Sequence, residues 1–122
     1  MELNGQESDI VTIDLSPHGY LHVRWTPGAV VTEIEATALK SRAAELSSGR
    51  ALPMLVEMAS MKWIGRRATE IFAAPWPLAR MALVGASPVD EVIATFYAAR
   101  HTPSCQTRFF TSMDEAVTWL TE

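Results

Sequence analysis

Apolar and polar positions alternate twice near the start of the chain. In "DIVTIDL", Ile10, Thr12 and Asp14 alternate with Val11, Ile13 and Leu15; in "YLHVRW", Leu21, Val23 and Trp25 alternate with Tyr20, His22 and Arg24. A period of two marks half-buried strands. "SPHG" between them has turn chemistry, so the pair reads as an antiparallel hairpin. The pattern then changes to helical in "TPGAVVTEIEATALKSRAAELSSG". Thr32 is the predicted N-cap, with Glu33 and Glu35 in the first turn, where the helix dipole favours acids. Ile34, Ala38, Leu39 and Leu46 fall on one side, and Gly49 is the predicted stop.

Beyond residue 50, short apolar runs alternate with helices. "LPMLVEM" and "ARMALVG" read as buried strands and "QTRFF" as a third short strand. "IGRRATEIFAA" reads as a short helix ended by "PWP". In "SPVDEVIATFYAAR", Ser87 is the predicted N-cap, Pro88 sits at N1 and Asp90 closes an S-x-x-D box. Val89, Val92, Ile93 and Phe96 are its expected inner face. "SMDEAVTWL" repeats the logic with Ser112 at N-cap, Glu115 at N3, and Met113, Ala116 and Leu120 inward. The order is β-β-α-β-α-β-α-β-α. It predicts an α/β fold with a mixed, mostly parallel five-stranded sheet and right-handed crossovers. Residues 1–8 read as a flexible polar arm and 9–122 as one domain.

Composition narrows the function classes. The chain has 122 residues, 48% of them apolar, enough for a core without disulfides or metals. A net charge of -4 argues against bulk binding to nucleic acid or an anionic membrane surface. The single cysteine, Cys105, fits a reducing compartment. "MELNGQESDI" lacks the basic and apolar regions of a signal peptide, and no apolar run approaches the roughly 20 residues of a spanning helix. The expectation is a cytoplasmic protein without stable membrane insertion.

Little of the sequence spells out catalysis. His18 and His22 are four apart but run into a strand, so they share no helix face, and no ligand spacing completes a metal signature. Cys105 has His101 nearby as a base, but no third residue orients them. The acidic pairs at 90–91 and 114–115 lie in helix first turns, where capping explains them. Gly65 and Gly85 are isolated, so there is no glycine-rich phosphate loop. No catalytic residue, metal ligand or cofactor site is named, and the expectation is not an enzyme.

The element order resembles the STAS domain, the fold of bacterial anti-sigma-factor antagonists. The segment "MALVGASPVDEVIATFYAARHTPSCQTRFFTSMDEAVTWL" is similar to the C-terminal part of small bacterial STAS-like proteins of unknown function. These have a buried strand, a helix with an aromatic pair (here Phe96-Tyr97), a proline loop and a capped final helix ending in "WL". Arg66, Arg67 and Ala68 also sit where that group has a short basic helix start. The resemblance spans roughly residues 9 to 121. It implies regulation through protein contacts. It also implies a phosphorylated serine at a helix start, and that turn falls on Gly65-Arg66-Arg67-Ala68. No serine stands there: Ser60 is several residues early and Thr69 is slightly late. The phosphoserine switch is therefore not expected.

The stretch "SMKWIGRRATEIF" places two arginines at a helix start, where free N–H groups already favour anions. Arg66 and Arg67 are thus candidates for an anionic ligand or acidic partner; alternatively, they pair with Glu57, Glu70 or another surface acid. Trp76, in "APWPLA", and Trp63 are candidate apolar anchors. With Phe72, Phe96, Tyr97, Met54, Met58, Met61 and Met81 they could line an apolar groove, or they fill the core. Two readings follow. The first is a non-enzymatic STAS-like binding domain that meets a protein partner, or a second copy of itself, through residues 60–76. The alternative is a carrier of a small amphipathic or anionic ligand, since the STAS-like fold is architecturally related to a eukaryotic lipid-carrier domain. An enclosed pocket would favour the carrier; a filled interior with an exposed apolar patch would favour the protein-binding domain.

Overall fold

The computed structural model describes residues 10–74, 78–100 and 105–122, without the side chains of 96–100. The proposed arm at 1–8, Trp76, His101 and the side chains of Phe96 and Tyr97 lie outside the described residues.

The main sheet has five strands: β1 (Val11–Leu15), β2 (Leu21–Trp25), β4 (Leu52–Glu57), β6 (Leu78–Val84) and β7 (Gln106–Phe110). They lie side by side in chain order, β1-β2-β4-β6-β7. β1 runs antiparallel to β2, with Val11 opposite Trp25, and the other neighbours are parallel. This is the mixed, mostly parallel sheet that the alternation of runs predicts. Two further strands, β3 (Val30–Val31) and β5 (Trp63–Ile64), pair in parallel as a separate ribbon. Two residues are too few to show a period, so β3 merged with the run before the first helix and β5 with the run before the second.

Four helices complete the fold: α1 (Glu33–Ser47), α2 (Arg66–Ala73), α3 (Pro88–Arg100) and α4 (Met113–Leu120). The parallel strands advance across the sheet in one direction. Right-handed crossovers then put α1, α2 and α3 on the same face. That face carries the larger core: Val11, Ile13, Val23, Trp25, Met54, Val56 and Met81 meet Ala36 and Leu39 of α1, Ala68 of α2 and Ala94 of α3. The other face is covered by α4, whose Ala116, Trp119 and Leu120 pack on Tyr20, Leu55, Ala82 and Phe110.

Local chemistry sets the helix ends. Thr32 caps α1 in a complete capping box: its hydroxyl accepts the Ile34 N–H at 3.3 Å, and its own N–H donates to Glu35 Oε1 at 2.8 Å. Ser48, one residue before the predicted stop at Gly49, takes the left-handed conformation at the C-cap. α2 begins at Gly65 without a side-chain cap. At its other end Lys40 of α1 donates to the carbonyls of Ile71 and Ala74 at 3.1 and 3.2 Å. Burial pushes the Lys40 ammonium below the usual lysine range.

Two inward faces differ from the sequence reading. α1 buries Ala36, Leu39, Ala43 and Ser47, while Ile34 is exposed. The long apolar side chains suggested the stripe, but alanines make the close contact. Among the described side chains of α3 the buried ones are Asp90 and Ala94, and Val89 and Val92 are exposed. The inward position at the start of the helix is taken by Asp90, whose carboxylate accepts backbone N–H groups there.

Candidate functional site

α2 and α3 flank an apolar cleft of about 610 Å³ on the larger-core face. Its floor is the sheet: Met54 and Val56 from β4, and Met81 and Leu83 from β6. Period-two alternation sends these four to the same side of the two neighbouring strands, where Met54 stands opposite Met81 and Val56 opposite Leu83. Met58 and Met61 come from the loop after β4, Phe72 from α2, and Trp25 from the end of β2. Trp25 and Phe72 meet edge to face, with ring centroids 6.5 Å apart.

The rim differs from the floor. Trp63 is 54% exposed, and Val89 and Val92 are 48% and 66% exposed on α3. All three line the cleft. The Trp63 ring is seated over Gly65, where an added Cβ would lie 3.1 Å from it. Lys62 and Arg66 bring cations to the rim, and Glu70 brings an acid. Arg66 Nε lies 3.6 Å from Glu70 Oε2, with both side chains well exposed. Arg67 turns to α1, its Nη2 3.5 Å from Glu33 Oε2. Each arginine at the start of α2 therefore has an acid beside it. Such exposed pairs contribute little stability. The lining offers few polar groups. The Thr69 hydroxyl is already committed, donating to the Gly65 carbonyl at 3.0 Å.

The candidates are thus separated. Trp63 and Arg66 share the cleft, with Met54, Met58, Met61, Met81 and Phe72; Arg67 lies outside its lining, and Trp76 falls outside the described residues. Several lining residues were missed, among them Trp25, Val56 and Leu83 on the inside and Lys62, Val89 and Val92 at the rim. The signal of the rim valines was present but ambiguous, because two valines at i and i+3 on an otherwise amphipathic helix read as core.

The remaining titratable groups lie elsewhere. His22 Nε2 and Glu57 Oε2 share a hydrogen bond, and Arg24 Nε stands 3.5 Å from the same Glu57 oxygen. Glu57 is therefore engaged on the opposite face of the sheet from the cleft. His18 lies in the β1–β2 turn, its N–H donating to Ser16 Oγ. Cys105 is half-buried; burial pushes its thiol above the usual range, against a smaller opposite effect of the Thr107 hydroxyl. A raised thiol pKa means less thiolate and lower reactivity.

Residues 13–122 match the model of a domain family of unknown function, DUF7793. The chain belongs to this family. A search of curated proteins gives no match. Among solved structures, it is similar to an uncharacterized DUF3478-family protein with a SpoIIAA-like fold from Shewanella loihica PV-4. The TM-score is 0.63 at 16% identity, covering 95% of this chain and 99% of that one. This DUF7793 chain therefore has the STAS-like fold that its C-terminal segment suggested. A protein of unknown function from Arthrobacter sp. FB24 is 35% identical over 89% of this chain and 97% of that one, with a TM-score of 0.33. Among the described residues, no helix is long and apolar enough to cross a membrane.

Proposed function

We propose that this DUF7793 chain is a non-enzymatic binding domain whose α2/α3 cleft takes a small amphipathic anion. The cleft carries the reading. Its volume of about 610 Å³ falls in the range of about 300–1,000 Å³ typical of small-molecule sites. A floor of methionines and other apolar side chains suits an apolar body of variable shape. Among the described lining residues the fixed charges are Lys62, Arg66 and Glu70, at the rim. Two cations against one acid leave a positive excess, which suits a single anionic head group. The interior hydroxyl is already used, so a ligand with polar groups along its body would leave them unpaired.

Native mass spectrometry of protein purified without added ligand tests this. The expected result is a non-covalent adduct of small-molecule mass that is released on denaturation. It is expected to be depleted in Met81→Lys, which puts a charge on the floor, and weakened in Lys62→Ala/Arg66→Ala. An apo mass, together with no binding of anionic apolar dyes, would sink the reading.

The exposed rim supports a second reading, contact with a protein partner. Trp63, Val89 and Val92 form an apolar border, and tryptophan is enriched where interfaces concentrate their energy. Here the cleft receives apolar side chains of the partner. A clean apo mass together with capture of one partner, lost in Trp63→Ala and Val92→Asp alike, would favour this reading over the carrier.

A further inference from the structure

One carboxylate joins the two sides of the cleft. Asp90 is fully buried. It accepts the N–H of Ser60 at 2.9 Å, of Met61 at 2.7 Å and of Ala86 at 2.9 Å. Its own N–H donates to Ser87 Oγ at 3.2 Å, which is the capping contact the S-x-x-D pattern predicts. The carboxylate, however, reaches out of its own helix to the loop after β4. That loop supplies Met61 and Lys62 to the cleft and leads into Trp63 of β5, and the first turns of α3 supply Val89 and Val92.

The loop has reason to need a tether. Ala59 and Ser60 both have φ of 56°, in the left-handed region. Side chains other than glycine persist there only when the surroundings hold them. On its outer side the loop is fixed to the β2–α1 connection: Gly28 N–H donates to the Ser60 carbonyl, and Lys62 N–H donates to the Ala29 carbonyl. Asp90 supplies the inner attachment, through charge-assisted hydrogen bonds that water does not weaken. Asp90 also has no room to retreat. A Cβ added at Gly85 would stand 2.7 Å from Asp90 Cβ and 2.5 Å from the Phe109 ring.

We infer that Asp90 is a positioning residue that fixes the loop wall of the cleft to the α3 wall and so sets the cleft's shape. Its effect on binding rests on the reading of the cleft as a ligand site; the tether itself does not. Two measurements on the full chain keep these apart. Amide hydrogen exchange of Ser60, Met61 and Ala86 reports the tether. Titration with 8-anilinonaphthalene-1-sulfonate, an apolar monoanion, reports the cleft.

In wild type the three amides are expected to exchange slowly and at a common rate, because one carboxylate releases them together. Asp90→Asn should speed their exchange by about tenfold or more, leave the Leu55 and Ala82 amides protected, and weaken dye binding by a similar factor. Gly85→Ala, which crowds Asp90 without changing its charge, should act in the same direction. If Asp90→Asn does not fold, the common rate in wild type and the Gly85→Ala result decide. Free-loop exchange of Ser60 and Met61 in wild type overturns the inference. So does unchanged protection in Asp90→Asn, or unchanged dye affinity despite lost protection. Released amides with no dye binding by either protein would leave the tether standing and remove the ligand-site reading.

Discussion

On the α4 side of the sheet, Trp119 lies against Phe110 with ring centroids 5.6 Å apart, under the guanidinium of Arg80 at 4.5 Å. Arg80 also donates to the Trp119 carbonyl at the end of α4, so one side chain covers the ring and caps the helix. On the opposite side, among the described residues, the fully buried apolar side chains of α2 and α3 are only the alanines Ala68 and Ala94, with Ile71, Phe72 and Ile93 partly buried around them. A large aromatic fills its space and locks a helix in place. An alanine lets a helix backbone approach the sheet but fills nothing beside it, and the volume between α2 and α3 stays open. The same sheet is thus closed by shape on one face and left open on the other.

Trp119→Ala tests the closed face and should have the largest effect. Removing a buried tryptophan costs about 3–5 kcal/mol, and here the cation–π contact with Arg80 is lost as well. The expected outcome in urea denaturation is a large drop in midpoint, or no folded protein. Met54→Ala tests the open face. Met54 is as deeply buried, but it borders space that already exists. Its cost should fall at the low end of the range for methionine, about 2 kcal/mol. Equal losses for the two variants would mean that the faces are packed alike.

At the α1 end of the open face, order comes from hydrogen bonds instead of bulk. Thr32→Ala should cost about 1 kcal/mol, read from the same denaturation curves. Burial pushes the Glu35 carboxyl up, but the hydrogen bonds from the Thr32 hydroxyl and N–H outweigh it and hold the group below the usual glutamate range. A depressed folded value contributes stability above the unfolded range and loses it as pH falls through the folded value. Wild type should therefore lose this contribution in acid, and Glu35→Gln should lack that part of the pH dependence. A pH profile identical in the two proteins would remove the capping box from the account.

This contrast also explains what could be read from the chain. The order of the main elements along the chain, the hairpin and the caps at Thr32, Ser87 and Ser112 were legible, because period and cap chemistry are local. The cleft was half legible. Met54 and Met81 announce buried strands, but whether a methionine meets a neighbour or a void depends on the separation of helices that no local pattern encodes. Asp90 shows the difficulty most clearly. Its position in an S-x-x-D box predicts a cap, and the Ser87 half of that cap is present. Its carboxylate instead serves Ser60 and Met61, 30 and 29 residues away. With Asp90 inward, Val89 and Val92 of the same helix are exposed.

Trp63→Ala should have the smallest effect on stability and the most specific effect on binding. The side chain is more than half exposed, and surface substitutions usually fall within about 0.5 kcal/mol. Gly65 is buried beneath the ring, and because the ring itself is on the surface, its truncation exposes Gly65 to solvent and leaves no enclosed void. If the rim contributes to binding, the loss appears only in the affinity for 8-anilinonaphthalene-1-sulfonate, with the denaturation midpoint unchanged. A variant that lost stability and affinity together would make Trp63 part of the wall's packing. A variant that lost neither would confine the binding surface to the methionine floor, and Met81→Lys would then be the substitution that separates a receptive face from a merely loose one.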